Sequence, residues 1–220
     1  MKTELTSKLI SRFDRLAGRR ATWETHWQEV ADYMLPRKAD ITKRRSRGDK
    51  RMERIFDSSP LQALELLASS LHGMMTNPST PWFTLRFKKL EDSNDDEAKL
   101  WLEEATEIMY TAFNRSNFQQ EIFELYHDLI TFGTAAMFIE EDEDDLVRFS
   151  TRHIDEIYIA ENKKGTIDTI YRKFHMTARA LVQKFGDKVS EDIRTLATKN
   201  PYEEIDIIHV VYPRDEFNPK

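Results

Sequence analysis

The sequence predicts an α+β fold, with a mainly helical N-terminal half followed by a mainly antiparallel, β-rich half that includes two short helices. Apolar residues recur at helical spacing through most of residues 1–133, whereas residues 134–220 contain short alternating segments separated by turn residues. A chain of 220 residues, 11% of them aromatic, is long enough to bury a substantial core. We therefore expect a helical part at residues 1–133 and a β-rich part at residues 134–220.

The first helices are indicated by apolar faces that end at a glycine or a proline. Apolar residues at helical spacing predict a helix over residues 3–17 that stops at Gly18. Trp23 and Trp27 mark a second helix, which ends at Leu35-Pro36 because the residue before a proline disfavours helical geometry.

A capped helix followed by a strand is predicted between residues 57 and 87. Ser59 and Gln62 have the spacing of a capping box, in which each side chain bonds a free backbone N–H at the helix start. Residues 82–87 alternate as on a half-buried strand. We expect this stretch to be mostly buried, so that Leu67→Asp would destroy folding or assembly.

The later elements are predicted from turn residues between apolar segments. Residues 97–114 and 117–132 read as helices, the second capped by Asn117 and ended by Gly133. Strands are predicted at residues 134–139, 146–152, 154–160, 166–175 and 205–212, with a short helix between Thr177 and Gly186 and another at residues 190–198.

The net charge of -6 is unevenly distributed along the chain. Residues 37–54 hold nine basic and three acidic residues, a net +6, so the remaining residues carry -12. We expect residues 40–50 to form a mobile loop. Its basic residues could contact DNA phosphates, acidic surface on a neighbouring subunit, or only water, and all three interpretations stay open. The candidate contact residues are Lys43, Arg44, Arg45, Arg47, Lys50 and Arg51.

The common catalytic and cofactor motifs are absent from the sequence. It contains no P-loop, no dinucleotide fingerprint, and neither G-x-S-x-G nor H-E-x-x-H. The six histidines lack metal-ligand spacing, there is no cysteine, and no apolar run is long enough to span a membrane. Six consecutive acids at residues 140–145 are predicted to form a solvated hairpin turn rather than a cation site. We therefore predict no enzyme activity, no catalytic or metal-binding residue, no cofactor and no membrane partner.

Two other classes of function are kept as alternatives. One is a divalent-metal nuclease that uses carboxylates such as Asp142, Asp144 and Asp155, with the basic loop holding DNA. The other is a small DNA-binding or regulatory module built on the basic loop alone, which would bind DNA with a steep salt dependence.

Five stretches of the sequence carry a family resemblance when they are taken together. They are WQEVADYMLP at residues 27–36, the segment 57–83 with ALELLASSLHGMMTNPSTPWF at its end, LYHDLITFGTAAM at 125–137, GTIDTIYRK at 165–173 and HVVYPR at 209–214. Together they resemble the head-to-tail connector or portal proteins of short-tailed, podovirus-type bacteriophages. They occur in the family's order and span nearly the whole chain.

The resemblance implies a structural subunit of a dodecameric ring at one capsid vertex. Such rings serve genome packaging, DNA ejection and tail attachment, and they help to nucleate capsid assembly. The implied partners are copies of the chain itself, the packaging ATPase (terminase), a tail adaptor, capsid and scaffolding proteins, and double-stranded DNA. The implied location is the capsid vertex of the virion, after assembly in the host cytoplasm. Family members are considerably longer, so the chain is expected to represent the wing-like region and to stop before the channel-lining stem.

Overall fold

The computed structural model describes residues 2–46, 48–88 and 96–214, and it confirms the predicted α+β fold. The α-helices in these residues are α1 (Lys2–Met34), α2 (Ser59–Met75), α3 (Asp96–Arg115), α4 (Phe118–Phe132), α5 (Ala178–Phe185) and α6 (Glu191–Lys199). The strands are β1 (Ala136–Asp142), β2 (Leu146–Arg152), β3 (Ile157–Glu161), β4 (Ile167–Thr177) and β5 (Glu204–Val211).

The chain packs as two compact units. Unit 1 comprises residues 1–22 and 156–220, and unit 2 comprises residues 23–155. Helix α1 therefore contributes its first part to unit 1 and its second part to unit 2. This division by packing differs from the division by secondary structure into residues 1–133 and 134–220, because each unit combines helices with one sheet.

Unit 2 is built on a core to which α1, α2, α4 and the segment after α1 contribute side chains. Trp27 and Ala31 of α1 and Leu35, just after the helix, recur every four residues, and they pack with Leu64 and Phe132. The unit's sheet is the antiparallel hairpin β1–β2, in which Ala136 pairs with Arg152 and Asp142 with Leu146.

An aromatic cluster in the same unit replaces the strand predicted at residues 82–87, and that prediction is wrong. Trp82 stacks on Phe118 with 5.7 Å between ring centroids, and Phe83 stacks on Tyr110 at 4.4 Å. Residues 81–87 form no regular secondary structure, and they pair with no strand among the described residues. The Tyr110 hydroxyl accepts the backbone N–H groups of Trp82 and Phe83 and donates to the Phe83 carbonyl. A side chain thus satisfies the backbone groups that a neighbouring strand would satisfy.

Unit 1 contains an antiparallel sheet of three strands in the order β3–β4–β5, with Ile157 opposite Arg172. Its core joins the first part of α1 to this sheet, through Phe13, Tyr158 and Tyr171. The ring of Phe13 meets that of Tyr158 edge to face, with centroids 4.7 Å apart. Helices α5 and α6 lie in the chain between β4 and β5.

The predicted break at Gly18 is wrong, because α1 continues through this residue to Met34. A glycine in a helix interior costs about 1 kcal/mol relative to alanine, which packing can offset. Next to the glycine, the Arg20 guanidinium lies 3.6 Å from the centroid of the Tyr158 ring and donates to the Ile157 carbonyl. These contacts of Arg20 lie close to Gly18, where the sequence predicted that the helix would end.

Two predicted helix caps are also wrong, although the helices begin close to the predicted positions. At α2, the Asp57 carboxylate accepts the N–H of Ser59 at 3.0 Å, and neither serine at the start makes a side-chain cap. The Asn117 side chain makes no cap on α4. The cap by Thr177 on α5 and the left-handed glycine that ends α4 are confirmed.

Three strands, β1, β3 and β4, differ from their predicted bounds by two or more residues. Strand β1 runs into the acidic segment, so the turn between β1 and β2 shortens to residues 143–145. Residues 154–156, predicted as the start of a strand, form a single 3-10 turn before β3. Strand β4 continues to Thr177, which also caps the next helix.

Candidate functional site

The basic segment at residues 37–54 begins where α1 ends, and a buried side chain of α1 anchors it. Gln28 is 5% exposed, and its amide nitrogen donates to the Asp32 carboxylate at 3.0 Å and to the Ala39 carbonyl at 2.6 Å. Its amide oxygen accepts the backbone N–H groups of Ile41 at 3.0 Å and Thr42 at 2.9 Å. The start of the loop expected to be mobile is therefore fixed to the helix by one side chain.

Three arginines of the basic segment form ion pairs with carboxylates of the same unit. Arg45 lies 3.3 Å from the buried carboxylate of Asp32 and 3.1 Å from Asp40, and Arg51 lies 2.7 Å from Asp40. Arg54 reaches the second oxygen of Asp32 at 3.1 Å. Partial burial opposes the charge of Arg45, but Asp40 and Asp32 outweigh this effect and raise its pKa. Much of the positive charge is thus neutralised within the chain.

The structure divides the six candidate contact residues into two groups. Arg45 and Arg51 are the partly buried members of the ion-pair network. Lys43, Arg44 and Lys50 are exposed on the loop. Arg47 lies outside the described residues.

The residues that organise this segment, Gln28 and Asp32, were missed by sequence reasoning. They lie four residues apart on α1, among the apolar residues of its buried face. Two polar residues at helical spacing on an apolar face are a signal for buried hydrogen bonds, because unpaired polar groups are costly to bury. The signal can be read from the sequence, but it does not identify the partners.

A second charged cluster lies at the start of the basic segment. Lys38 Nζ is 2.7 Å from Asp128 and 3.3 Å from Glu124, and Arg37 is 2.7 Å from Glu124. Burial raises the pKa of Asp128, and the charge of Lys38 offsets this effect only in part. Partial burial would also raise the pKa of Glu124, but Arg37 and Lys38 outweigh it and lower that pKa.

His153 connects this cluster to the end of β2. Its ring nitrogens contact the Asp155 carboxylate at 2.9 Å and the Lys38 carbonyl at 2.8 Å. Burial would lower the pKa of His153, but the hydrogen bond and charge of Asp155, the Lys38 carbonyl and the charge of Asp128 outweigh it and raise the pKa. These partners therefore favour the protonated imidazole more than bulk water does.

Helix α2 exposes a large apolar surface, which contradicts the expectation that residues 57–87 are mostly buried. Only Leu64 and Ala68 of its apolar residues are buried, whereas Leu67 is 48% exposed and Met74 is 75% exposed. Just before the helix, Phe56 is 95% exposed. In a single copy of the chain, much of the apolar surface of α2 is therefore exposed, although the sequence predicted a buried helix.

Two of the three carboxylates of the nuclease alternative, Asp142 and Asp155, serve local structural roles, and Asp144 is exposed. Asp142 accepts the backbone N–H groups of Asp144 and Asp145, both at 3.0 Å, and these hydrogen bonds lower its pKa. Asp155 pairs with His153. Among the described residues, no group of three or more histidine, aspartate or glutamate side chains is arranged to hold a metal ion.

None of the helices is suited to crossing a membrane. In the part of the chain that the structure describes, no helix combines the length and the apolar character needed to span a bilayer.

Comparison with known proteins identifies the family. Residues 6–220 match the family described as bacteriophage head to tail connecting protein. The chain is 34% identical over 214 residues to a probable portal protein of Bordetella phage BPP-1, which covers 96% of this chain and 39% of the relative. It is 32% identical over 209 residues to the portal protein of Salmonella phage epsilon15, covering 94% of this chain and 38% of the relative. The chain thus spans about two fifths of the length of these curated relatives, and it belongs to the bacteriophage head-to-tail connecting, or portal, protein family that its motifs predicted.

Proposed function

We propose that the chain is part of a structural portal subunit that assembles with copies of itself into a closed ring at one capsid vertex. Its family membership supports this function. The observation that carries the proposal is the apolar surface of α2. A ring member must bury surface against its neighbours, and large exposed apolar patches on one copy typically mark such contacts.

The exposed apolar residues of α2 lie close together on the helix circumference. Leu67 and Met74 are seven residues apart and therefore share one face, and Leu66, which is 70% exposed, lies next to that face. Phe56 extends the apolar surface just before the helix start. Burying such side chains contributes roughly 25 cal/mol per Å² of apolar area.

The finer functions follow from the family resemblance. We propose a dodecameric ring that serves DNA packaging, DNA ejection and tail attachment in the virion, after assembly in the host cytoplasm. The proposed partners are the packaging ATPase (terminase), a tail adaptor, capsid and scaffolding proteins, and double-stranded DNA.

The test is the variant Leu67→Asp in the full-length protein. We expect it to keep a cooperative unfolding transition and to lose ring formation, because Leu67 is half exposed in one copy. Electron microscopy and sedimentation would measure assembly, and circular dichroism would measure folding.

Two control variants on the same helix separate folding from assembly. Ser69→Asp adds the same charge at an exposed polar position and should still form rings. Leu64→Asp places a charge at a position that is 3% exposed and should abolish folding. Rings formed normally by Leu67→Asp would rule out this face as the subunit contact, and a full-length wild-type protein that never forms rings would refute the proposed function.

The exposed basic residues are proposed to contact DNA, with the acidic surface of a neighbouring copy as the other candidate partner. Lys43, Arg44 and Lys50 are exposed on the loop, whereas Arg45 and Arg51 are partly buried and pair with carboxylates of their own unit. If Lys43 and Lys50 contact phosphates, changing both to alanine should weaken the salt dependence of DNA binding. The slope of the logarithm of the binding constant against the logarithm of salt concentration should become shallower by about one unit per lost contact. Weaker assembly with unchanged DNA binding would indicate the neighbouring copy instead.

We also propose that the chain has no catalytic activity. Incubation with plasmid DNA and Mg²⁺ should leave the DNA intact, because Asp142 holds the backbone of a turn. Mg²⁺-dependent cleavage that Asp142→Ala abolishes would instead support the nuclease alternative.

A further inference from the structure

The two compact units carry opposite balances of charge. Residues 1–22 and 156–220 contain seventeen basic and thirteen acidic residues, whereas residues 23–155 contain sixteen basic and twenty-six acidic residues. Unit 1 is therefore net positive and unit 2 is strongly negative, although unit 2 contains the basic segment. In a ring, each copy presents two different surfaces to its two neighbours, so surfaces of opposite charge can meet at every contact.

Four of the seventeen basic residues of unit 1 line a cavity of about 580 Å³ between α1 and the β3–β4 hairpin. Arg12, Arg15 and Arg19 line it from α1, where spacings of three and four residues place them on one face, and Lys163 lines it from the hairpin turn. The described residues place no carboxylate within 4 Å of Arg15, Arg19 or Lys163.

The rest of the cavity lining is partly apolar and partly acidic. Leu16 and Tyr171 add apolar surface, and Glu161 and Asp168 are the acidic members of the lining. Four basic and two acidic side chains leave a net positive site. A ligand for this cavity therefore combines negative charge with apolar surface.

The end of the β1–β2 hairpin is an acidic part of the surface of unit 2. Glu143, Asp144 and Asp145 are exposed there, and within the described residues none of the three has a cation within 4 Å. Asp142 holds the turn by accepting two backbone N–H groups, and Arg148 lies 3.9 Å from its carboxylate. The hairpin end is thus an acidic turn whose backbone is held by hydrogen bonds to Asp142.

Leu146 at this hairpin end has an unusual backbone conformation. Its φ is 69°, the only positive value for a non-glycine residue in the described chain, and its side chain is 59% exposed. A leucine in the left-handed region costs roughly 1–2 kcal/mol, and such strain concentrates at functional contacts. The hairpin end therefore combines acids with one exposed apolar side chain.

We propose that the acidic hairpin end of one copy, residues 143–146, binds the basic cavity of the next copy. This inference rests on the proposed ring function. The acids meet Arg15, Arg19 and Lys163, and Leu146 meets the apolar lining. Each copy then contributes its cavity to one contact and its hairpin to the other, as a closed ring requires.

A second copy fits the cavity better than nucleic acid does. A phosphate backbone would leave Leu16 without an apolar partner, whereas the exposed side chain of Leu146 on the hairpin provides one. A cavity of about 580 Å³ has room for a few side chains but not for a DNA duplex. The hairpin supplies both the charge and the apolar surface that the lining requires.

The experiment uses two charge-reversed forms of the full-length protein. The cavity form carries Arg15→Glu and Arg19→Glu, and the hairpin form carries Glu143→Lys and Asp145→Lys. In either form alone, cavity and hairpin have the same charge, so we expect ring assembly to weaken by at least about tenfold. When the two forms are mixed, every cavity of one form can meet a hairpin of opposite charge, and we expect rings that contain both.

A matched control places the same charge change away from the cavity. Lys184→Glu with Lys199→Glu alters two exposed lysines of unit 1 that do not line the cavity, and this form should assemble like the wild type. All forms should unfold cooperatively, which circular dichroism would establish before assembly is measured.

The other outcomes overturn the inference in distinguishable ways. Normal rings from the cavity form alone would show that the contact is absent while the ring function stands. A second outcome is that the mixture fails to assemble while a chain that carries all four changes forms rings. That result would indicate a contact within one copy. Loss of DNA binding by the cavity form, unrestored by mixing, would assign the cavity to nucleic acid. If the wild type forms no rings, the proposed function itself fails.

Discussion

Replacing Gln28 with alanine is expected to release the start of the basic segment from α1. Gln28 is buried, and it joins Asp32 and the Ala39 carbonyl on one side to the backbone N–H groups of Ile41 and Thr42 on the other. Gln28 thus contacts both Asp32, whose carboxylate binds two arginines, and the backbone at the start of the basic segment.

The size of the effect can be worked from these contacts. A hydrogen bond contributes about 1 kcal/mol net, and Gln28 makes four with good geometry. The Ala39 carbonyl keeps a second donor, because Arg45 also bonds it at 2.8 Å, and the amides of the exposed loop can bond water after the change. We therefore expect Gln28→Ala to lower the free energy of unfolding by about 2–3 kcal/mol.

Two measurements test this expectation. Urea unfolding would give the change in stability, and hydrogen exchange would show faster exchange of the amides of Ile41 and Thr42. The control is Gln62→Ala on α2, an exposed glutamine with a single long contact to Ser58 at 3.4 Å, whose loss should cost under about 0.5 kcal/mol. Equal stabilities for the two variants, with unchanged exchange at Ile41 and Thr42, would refute the anchoring role.

Three further variants test the charged cluster and the aromatic cluster. His153 has a raised pKa, so its contribution to stability is present below the unfolded value of about 6.5 and is lost as pH rises through the folded pKa. In urea unfolding, His153→Gln should therefore lower the free energy of unfolding by more at pH 6 than at pH 9. Asp128 also has a raised pKa, so folding becomes less favourable as its carboxyl ionises, and the change in melting temperature caused by Asp128→Asn should be more positive at pH 7 than at pH 4. Tyr110→Phe removes a hydroxyl that bonds the backbone of Trp82 and Phe83 and should cost about 1–3 kcal/mol, whereas an unchanged unfolding midpoint would contradict the bridging role.

Local signals in the sequence predicted most of the secondary structure. Gly133 has a φ of 73° and ends α4, and the Thr177 hydroxyl caps α5 by accepting the N–H of Ala180. Such signals act within a few residues, so they can be read without knowing the tertiary structure.

The wrong predictions depend on contacts that are distant in sequence. Residues 82–87 alternate as a strand does, but Tyr110 on α3 supplies their hydrogen bonds. Gly18 does not stop α1, because the neighbouring Arg20 is held by Tyr158, which is far away along the chain. Neither partner can be deduced from local spacing.

The candidate site was predicted in outline only. The count of basic residues located the segment at residues 37–54, but it could not separate Arg45 and Arg51 from the exposed lysines. That separation depends on where Asp32 and Asp40 lie in space. Likewise, the apolar pattern of α2 predicted a buried helix, because periodicity shows which face is apolar and not whether the same chain covers it.

The outer edge of β2 is protected against unwanted pairing with other molecules. The Asn117 amide bonds both the N–H and the carbonyl of Phe149, at 2.9 and 2.8 Å, and Glu121 accepts the N–H of Thr151. These are the backbone groups through which a strand of another molecule would extend the sheet into an aggregate. Asn117 is well suited to this position, because aspartate lacks the donor and glutamine is one methylene longer. Two side chains at the start of α4 therefore occupy backbone groups that would otherwise be open to a strand from a second molecule.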